Sequence, residues 1–90
     1  MRQKSILLVS IRQLKAARAL LNWSQEQLAE ASGVSVPTIK RLEAQDGALG
    51  GREKTNERIL SSIHTAGIEF IDENGGGAGV RLRKRLKNRG

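Results

Sequence analysis

Three serines punctuate the first half of the chain. Ser10, Ser24 and Ser35 each stand directly before a run with helical apolar spacing, where a side-chain oxygen can accept from the otherwise unpaired amides of a first turn. Gln13 and Gln27 lie three residues beyond Ser10 and Ser24 and complete capping-box patterns. Helix starts this closely spaced force short helices joined by tight turns.

The first helix is expected from Ile11 to Leu21, with Ile11, Leu14, Ala17, Arg18 and Leu21 on one face and Asn22 as a left-handed end. The second follows Ser24, with Trp23 and Leu28 at the positions of a hydrophobic staple and Trp23 in the core. It runs to about Ala31, and Gly33 supplies the turn. The third follows Ser35, with Val34 and Ile39 as its staple and Pro37 in the first turn, where a missing N–H costs nothing. It carries Ile39 and Leu42 inward and ends near Gln45–Gly47. Residues 46–52 are expected as a loop. A fourth helix is expected from Glu53 to Ala66, with Ile59, Ile63 and Ala66 inward and Gly67 as its stop. The alternation in Ile68–Ile71 and Val80–Arg83, around a glycine-rich stretch at 72–79, predicts a β-hairpin.

Charge adds a second constraint. The net charge is +7, but its distribution is uneven. Of sixteen basic residues, six (Arg81, Arg83, Lys84, Arg85, Lys87, Arg89) fall in the last ten positions, leaving ten against nine acidic residues before them. The excess is a basic tail suited to an anionic partner, not a uniformly basic body. With no cysteine and a single histidine, His64, the chain offers neither a disulfide framework nor a thiolate or histidine-rich metal site. His64 is read as structural. The glycines at 75–79 lack the lysine and Ser/Thr of a phosphate-binding loop, so they are read as a hairpin turn. Ile6–Val9 is too short an apolar patch to span a membrane and lacks a cleavage site after it, so a cytoplasmic location is the expectation. No nucleophile–base pair or nucleotide fingerprint suggests an enzyme, and no cofactor is called for.

The informative segment is Gln25 to Ala44. Two short helices flank a glycine turn, Ala29 sits where their backbones approach, and Leu28, Val34, Ile39 and Leu42 supply a shared core. The run Ser24-Gln25-x-x-Leu28-Ala29-x-x-Ser32-Gly33-Val34-Ser35-x-x-Thr38-Ile39-x-x-Leu42-Glu43 resembles the lambda-repressor/Cro-like (XRE) helix-turn-helix family, and the resemblance extends over Ile11–Ala66. The run Ala16–Gln25 and the late Gly67–Ile71 look like a group of very short bacterial regulators of that family. The implied fold is mainly α: a four-to-five-helix lambda-repressor-like DNA-binding domain with a C-terminal β-hairpin. The implied division is a loose or strand-like lead-in (1–9), the helix-turn-helix domain (10–67), the hairpin as a dimerisation element (68–83) and the basic tail (84–90).

The resemblance also implies roles. Gln25 contacts a DNA phosphate and braces the next helix. The recognition helix starts at Ser35 and presents Val36, Pro37 and Thr38 at its tip, with Lys40 and Arg41 one turn later. Arg41 is the candidate for a bidentate guanine contact, the Val36 and Thr38 methyls suit thymine methyls, and Lys40 suits a base or a phosphate. Val36 and Pro37 replace polar residues that read bases in better-known members, which shifts weight to Arg41 and Lys40. Arg18 and Glu43 match a structural salt bridge. The expected function is a homodimeric transcription regulator on a palindromic double-stranded DNA operator. The alternatives are an antitoxin-type regulator whose C-terminal segment also binds a toxin protein, and a helix-turn-helix adaptor that binds protein.

Overall fold

The computed structural model describes residues 9–50 and 52–83. Four helices come first: α1 (Ile11–Leu21), α2 (Gln25–Ser32), α3 (Val36–Glu43) and α4 (Glu53–Thr65). A hairpin follows, formed by β1 (Ile68–Ile71) and β2 (Gly79–Leu82). This is the expected mainly helical, lambda-repressor-like architecture with a C-terminal hairpin. Ile6–Leu8 of the apolar lead-in and the tail beyond Arg83 lie outside the described residues. Among the described residues no helix is long and apolar enough to cross a membrane.

The serines act as the sequence predicts. The Ser10 hydroxyl accepts from Gln13 N at 3.0 Å while Gln13 Oε1 accepts from Ser10 N at 2.9 Å. Ser24 and Gln27 repeat the exchange at 3.0 and 2.8 Å. Ser35 Oγ accepts from Thr38 N at 3.3 Å. Asn22 closes α1 at φ 58°. Gly33 closes α2 at φ 76°, donating to Ala29 O at 2.9 Å, so the turn into α3 uses a conformation strained for any residue with a Cβ. Among the described helices only α4 starts without a side-chain cap.

Every element feeds one core. Ile11, Leu14 and Ala17 of α1, Leu28 of α2, Ile39 and Leu42 of α3, and Ile59, Leu60 and Ile63 of α4 are buried together with Val34 and Ile68. Two further members, Val9 and Leu49, come from the lead-in expected to be loose or strand-like and from the expected loop. Leu49 N donates to Val9 O at 3.0 Å and Ile11 N to Gly47 O at 2.9 Å, so the two segments pair around the Ser10–Ala48 bridge. Ala66 is exposed, contrary to the expectation that it faces inward. The helix ends at Thr65, Ala66 is its cap, and the buried stripe is Ile59, Leu60 and Ile63. Trp23 is packed against the core but only half-buried, and it opens on a surface groove beside Arg58 and Ser62.

The hairpin is antiparallel, with Ile68 opposite Leu82, Glu69 opposite Arg81, Phe70 opposite Val80 and Ile71 opposite Gly79. Ile68, Phe70 and Val80 pack on the core, whereas Leu82 is 52% exposed. Gln13 Nε2 donates to Gly79 O at 2.9 Å and Ile71 O at 3.3 Å, which fastens the loop end of the hairpin to α1. A two-stranded hairpin is marginal in water by itself. Here the chain's own α1 and α4 supply the surface it packs on.

Candidate nucleic-acid interface

The helix-turn-helix is locked by one carboxylate. Glu43, the last residue of α3, is 5% exposed. Arg18 of α1 grips it with Nη2 at 2.7 Å from Oε1 and Nε at 2.8 Å from Oε2, and donates its remaining Nη1 to Trp23 O at 2.9 Å. Gln25 Nε2, from the first residue of α2, donates to the same Oε1 at 2.9 Å. Burial by itself would push the Glu43 carboxyl up. The hydrogen bonds from Arg18 and Gln25, with the charges of Arg18 and Lys15, outweigh it and hold the carboxyl below the usual range. The bond to Glu43 raises Arg18 correspondingly. Both groups therefore stay charged. The start of α2 is fixed against the end of α3, and α1 is fixed to both.

That lock determines which side of α3 faces out. Ile39, Leu42 and Glu43 are buried. Pro37, Lys40, Arg41 and Ala44 are exposed, and their spacing of three, four and seven residues places them in one stripe. Neither Lys40 nor Arg41 ends in a hydrogen bond or ion pair among the described residues. A free lysine and arginine on one rigid stripe suit an anionic or base-edge partner.

The remaining expected residues are arranged less uniformly. Ser35 is exposed, but its hydroxyl is spent within the cap, donating to Thr38 Oγ1 at 3.0 Å. Thr38 and Val36 are half-buried, so of the tip residues only Ser35 and Pro37 stand fully in solvent. Gln25 is half-buried and keeps one amide hydrogen beyond the one given to Glu43, at the positive end of α2. The fold thus gathers Gln25 and α3 around Glu43.

Sequence reasoning missed one brace. Arg12 of α1 reaches Asp46, beyond the end of α3, with Nε and Nη2 at 3.2 and 3.3 Å from its carboxylate oxygens. The Arg12 bonds and the Gly47 amide hold the Asp46 carboxyl below its ordinary value. The pair spans distant parts of the chain, and no local pattern announces it.

Residues 14–51 match the helix-turn-helix family model. No curated protein matches the chain. The matched segment covers α1 from Leu14, the whole α2–turn–α3 unit and the loop that follows, which is also the unit built around Glu43. The unit built around Glu43 is thus similar to XRE-family, lambda-repressor-like helix-turn-helix domains in both its matched residues and its geometry.

Proposed function

We propose that the protein is a sequence-specific regulator that binds double-stranded DNA as a homodimer on a palindromic operator. The observation that carries this reading is the exposed Lys40–Arg41 pair on a helix whose opposite side is clamped by Glu43. A rigid helix can enter a major groove without losing order on binding, so its side chains meet base edges at little entropic cost. Arg41 is assigned to a guanine edge and Lys40 to a base or phosphate. Gln25 and the free amides at the start of α2 are assigned to a phosphate that sets the register. Ser35, Val36, Pro37 and Thr38 form the tip, which contributes shape and methyl contacts more than hydrogen bonds.

One such unit spans few base pairs, so useful specificity calls for two copies on half-sites about 34 Å apart. The action is occupancy: the bound dimer covers a promoter. Selection of bound duplexes from a random library tests the reading. A two-fold symmetric consensus with half-sites one helical turn apart is the expected result. Absence of enrichment, or enrichment unchanged by Arg41→Ala, overturns it.

A further inference from the structure

We infer that the outer edge of β2 is a docking site for an extended segment of another protein, one that alternates acidic and apolar residues. The inference goes beyond the DNA-binding reading and does not depend on it.

The first support is the hydrogen-bond phase of the hairpin. Arg83 N donates to Gly67 O at 2.7 Å, one pair beyond Ile68 and Leu82. Antiparallel ladders alternate, so Glu69–Arg81 and Ile71–Gly79 are the bonded pairs. The N–H and C=O groups of Val80 and Leu82 then point away from β1, and no described residue bonds to them. On the opposite edge Ile68 is 0% exposed, so among the described residues β2 carries the open edge.

The second support is what flanks that edge. Val80 and the exposed Leu82 lie on the face that meets the core, and Arg81 and Arg83 lie on the other. An added strand would set apolar side chains beside Val80 and Leu82 and acidic ones beside Arg81 and Arg83. Glu69 of β1 already meets Arg81 in that way, with its carboxylate oxygens at 3.1 and 3.3 Å from the guanidinium. Arg83 lies against the His64 ring and forms no ion pair with a carboxylate among the described residues.

Charge also decides between occupants. A second copy paired antiparallel through Val80 and Leu82 sets Arg81 against its own equivalent. The register centred on Leu82 sets Arg81 against Arg83. Like charges directly opposite are destabilising. The register centred on Val80 avoids the clash but pairs the strand with the glycine loop. The arginines therefore disfavour the two registers that use the whole strand, the glycine loop disfavours the third, and an acidic strand is favoured over a second copy.

The test uses the full isotope-labelled chain with two capped synthetic peptides, one alternating glutamate and valine, the other lysine and valine. Amide exchange of Val80 and Leu82 should slow at least about tenfold with the acidic peptide and stay unchanged with the basic one. Arg83→Glu should weaken the acidic peptide about tenfold and improve the basic one. Val80→Pro should abolish binding while sparing the β1–β2 ladder, because the N–H it removes points outward. If that variant does not fold, the Arg83→Glu reversal decides. Equal binding of both peptides, no protection at Val80 and Leu82, or protection that grows with protein concentration in the absence of peptide overturns the inference. Duplex DNA titrated into a separate sample reads the amides of α2 and α3, so failure at the hairpin is distinguishable from failure of DNA binding.

Discussion

Gln25 and Glu43, the first residue of α2 and the last of α3, are joined by a 2.9 Å hydrogen bond that fixes the angle between the two helices. Because Arg18 grips the same carboxylate from α1, three helices converge on one buried charge. Removing that charge leaves the Arg18 guanidinium, 20% exposed, without its partner. Glu43→Ala should therefore destabilise the fold by about 2–4 kcal/mol, toward the lower side of the range for broken buried pairs because Arg18 keeps some water. Chemical denaturation checks this. A loss below about 0.5 kcal/mol would mean the pair is no more than a surface bridge.

The same pair sets an acid limit. The Glu43 carboxyl is held below its unfolded value. Its stabilisation is therefore complete above the ordinary glutamate value of about 4.3 and is lost as pH falls through the lower, folded value. The stability gap between wild type and Glu43→Gln should be widest at neutral pH and narrow steadily in acid. Asp46 and Glu69 are also held down by their arginines, but Asp46 is well exposed, so Asp46→Asn should change acid stability much less. A gap that does not vary from neutral pH into acid would contradict the linkage.

Local rules made much of this fold legible. Caps are written in two residues three apart, so Ser10, Ser24 and Ser35 mark their helices in the sequence alone. Apolar spacing found Leu28, Ile39 and Leu42. The misses are where periodicity or locality ends. Counting from Ile59 through Ile63 to Ala66 runs past the end of α4, so it names an exposed cap and overlooks Leu60. Leu49 sits among glycines, and only its pairing with Val9 buries it. In the candidate interface, the family resemblance pointed to the pair Lys40–Arg41, which lies outward. It could not foresee that Val36 is half-buried or that Ser35 spends its hydroxyl on Thr38.

Within the DNA reading, Arg41 and Lys40 should separate by the kind of contact each makes. Arg41→Ala should cost about 1–3 kcal/mol on the best duplex and flatten preference at one base pair. Lys40→Ala, if Lys40 holds a phosphate, should weaken all duplexes alike and reduce the slope of log affinity against log salt by about 1. Both side chains are exposed and touch nothing in the chain's own hydrogen-bond network, so melting temperatures should stay within about 2 °C of wild type. Binding titrations at several salt concentrations distinguish the two. Equal loss of preference from both variants would remove the distinction drawn between them.

Gln13 carries two tasks that a single residue rarely combines, since its Oε1 caps α1 while its Nε2 holds the hairpin. The carbonyls it serves, on Ile71 and Gly79, are 58 and 66 residues away in the chain. Gln13→Glu keeps the capping oxygen but replaces the donor by a carboxylate facing two carbonyls. Gln13→Ala removes both functions. The alanine variant should lose about 1–2 kcal/mol, the sum expected of a cap and a partly buried hydrogen bond. The glutamate variant should lose at least as much at neutral pH and recover part of it in acid, where a protonated carboxyl can again donate to a carbonyl. Amide exchange locates the effect: β1 and β2 should open more readily while α2 and α3 keep their protection. Equal loosening of all elements would show instead that the hairpin and the helix-turn-helix unfold as one cooperative unit.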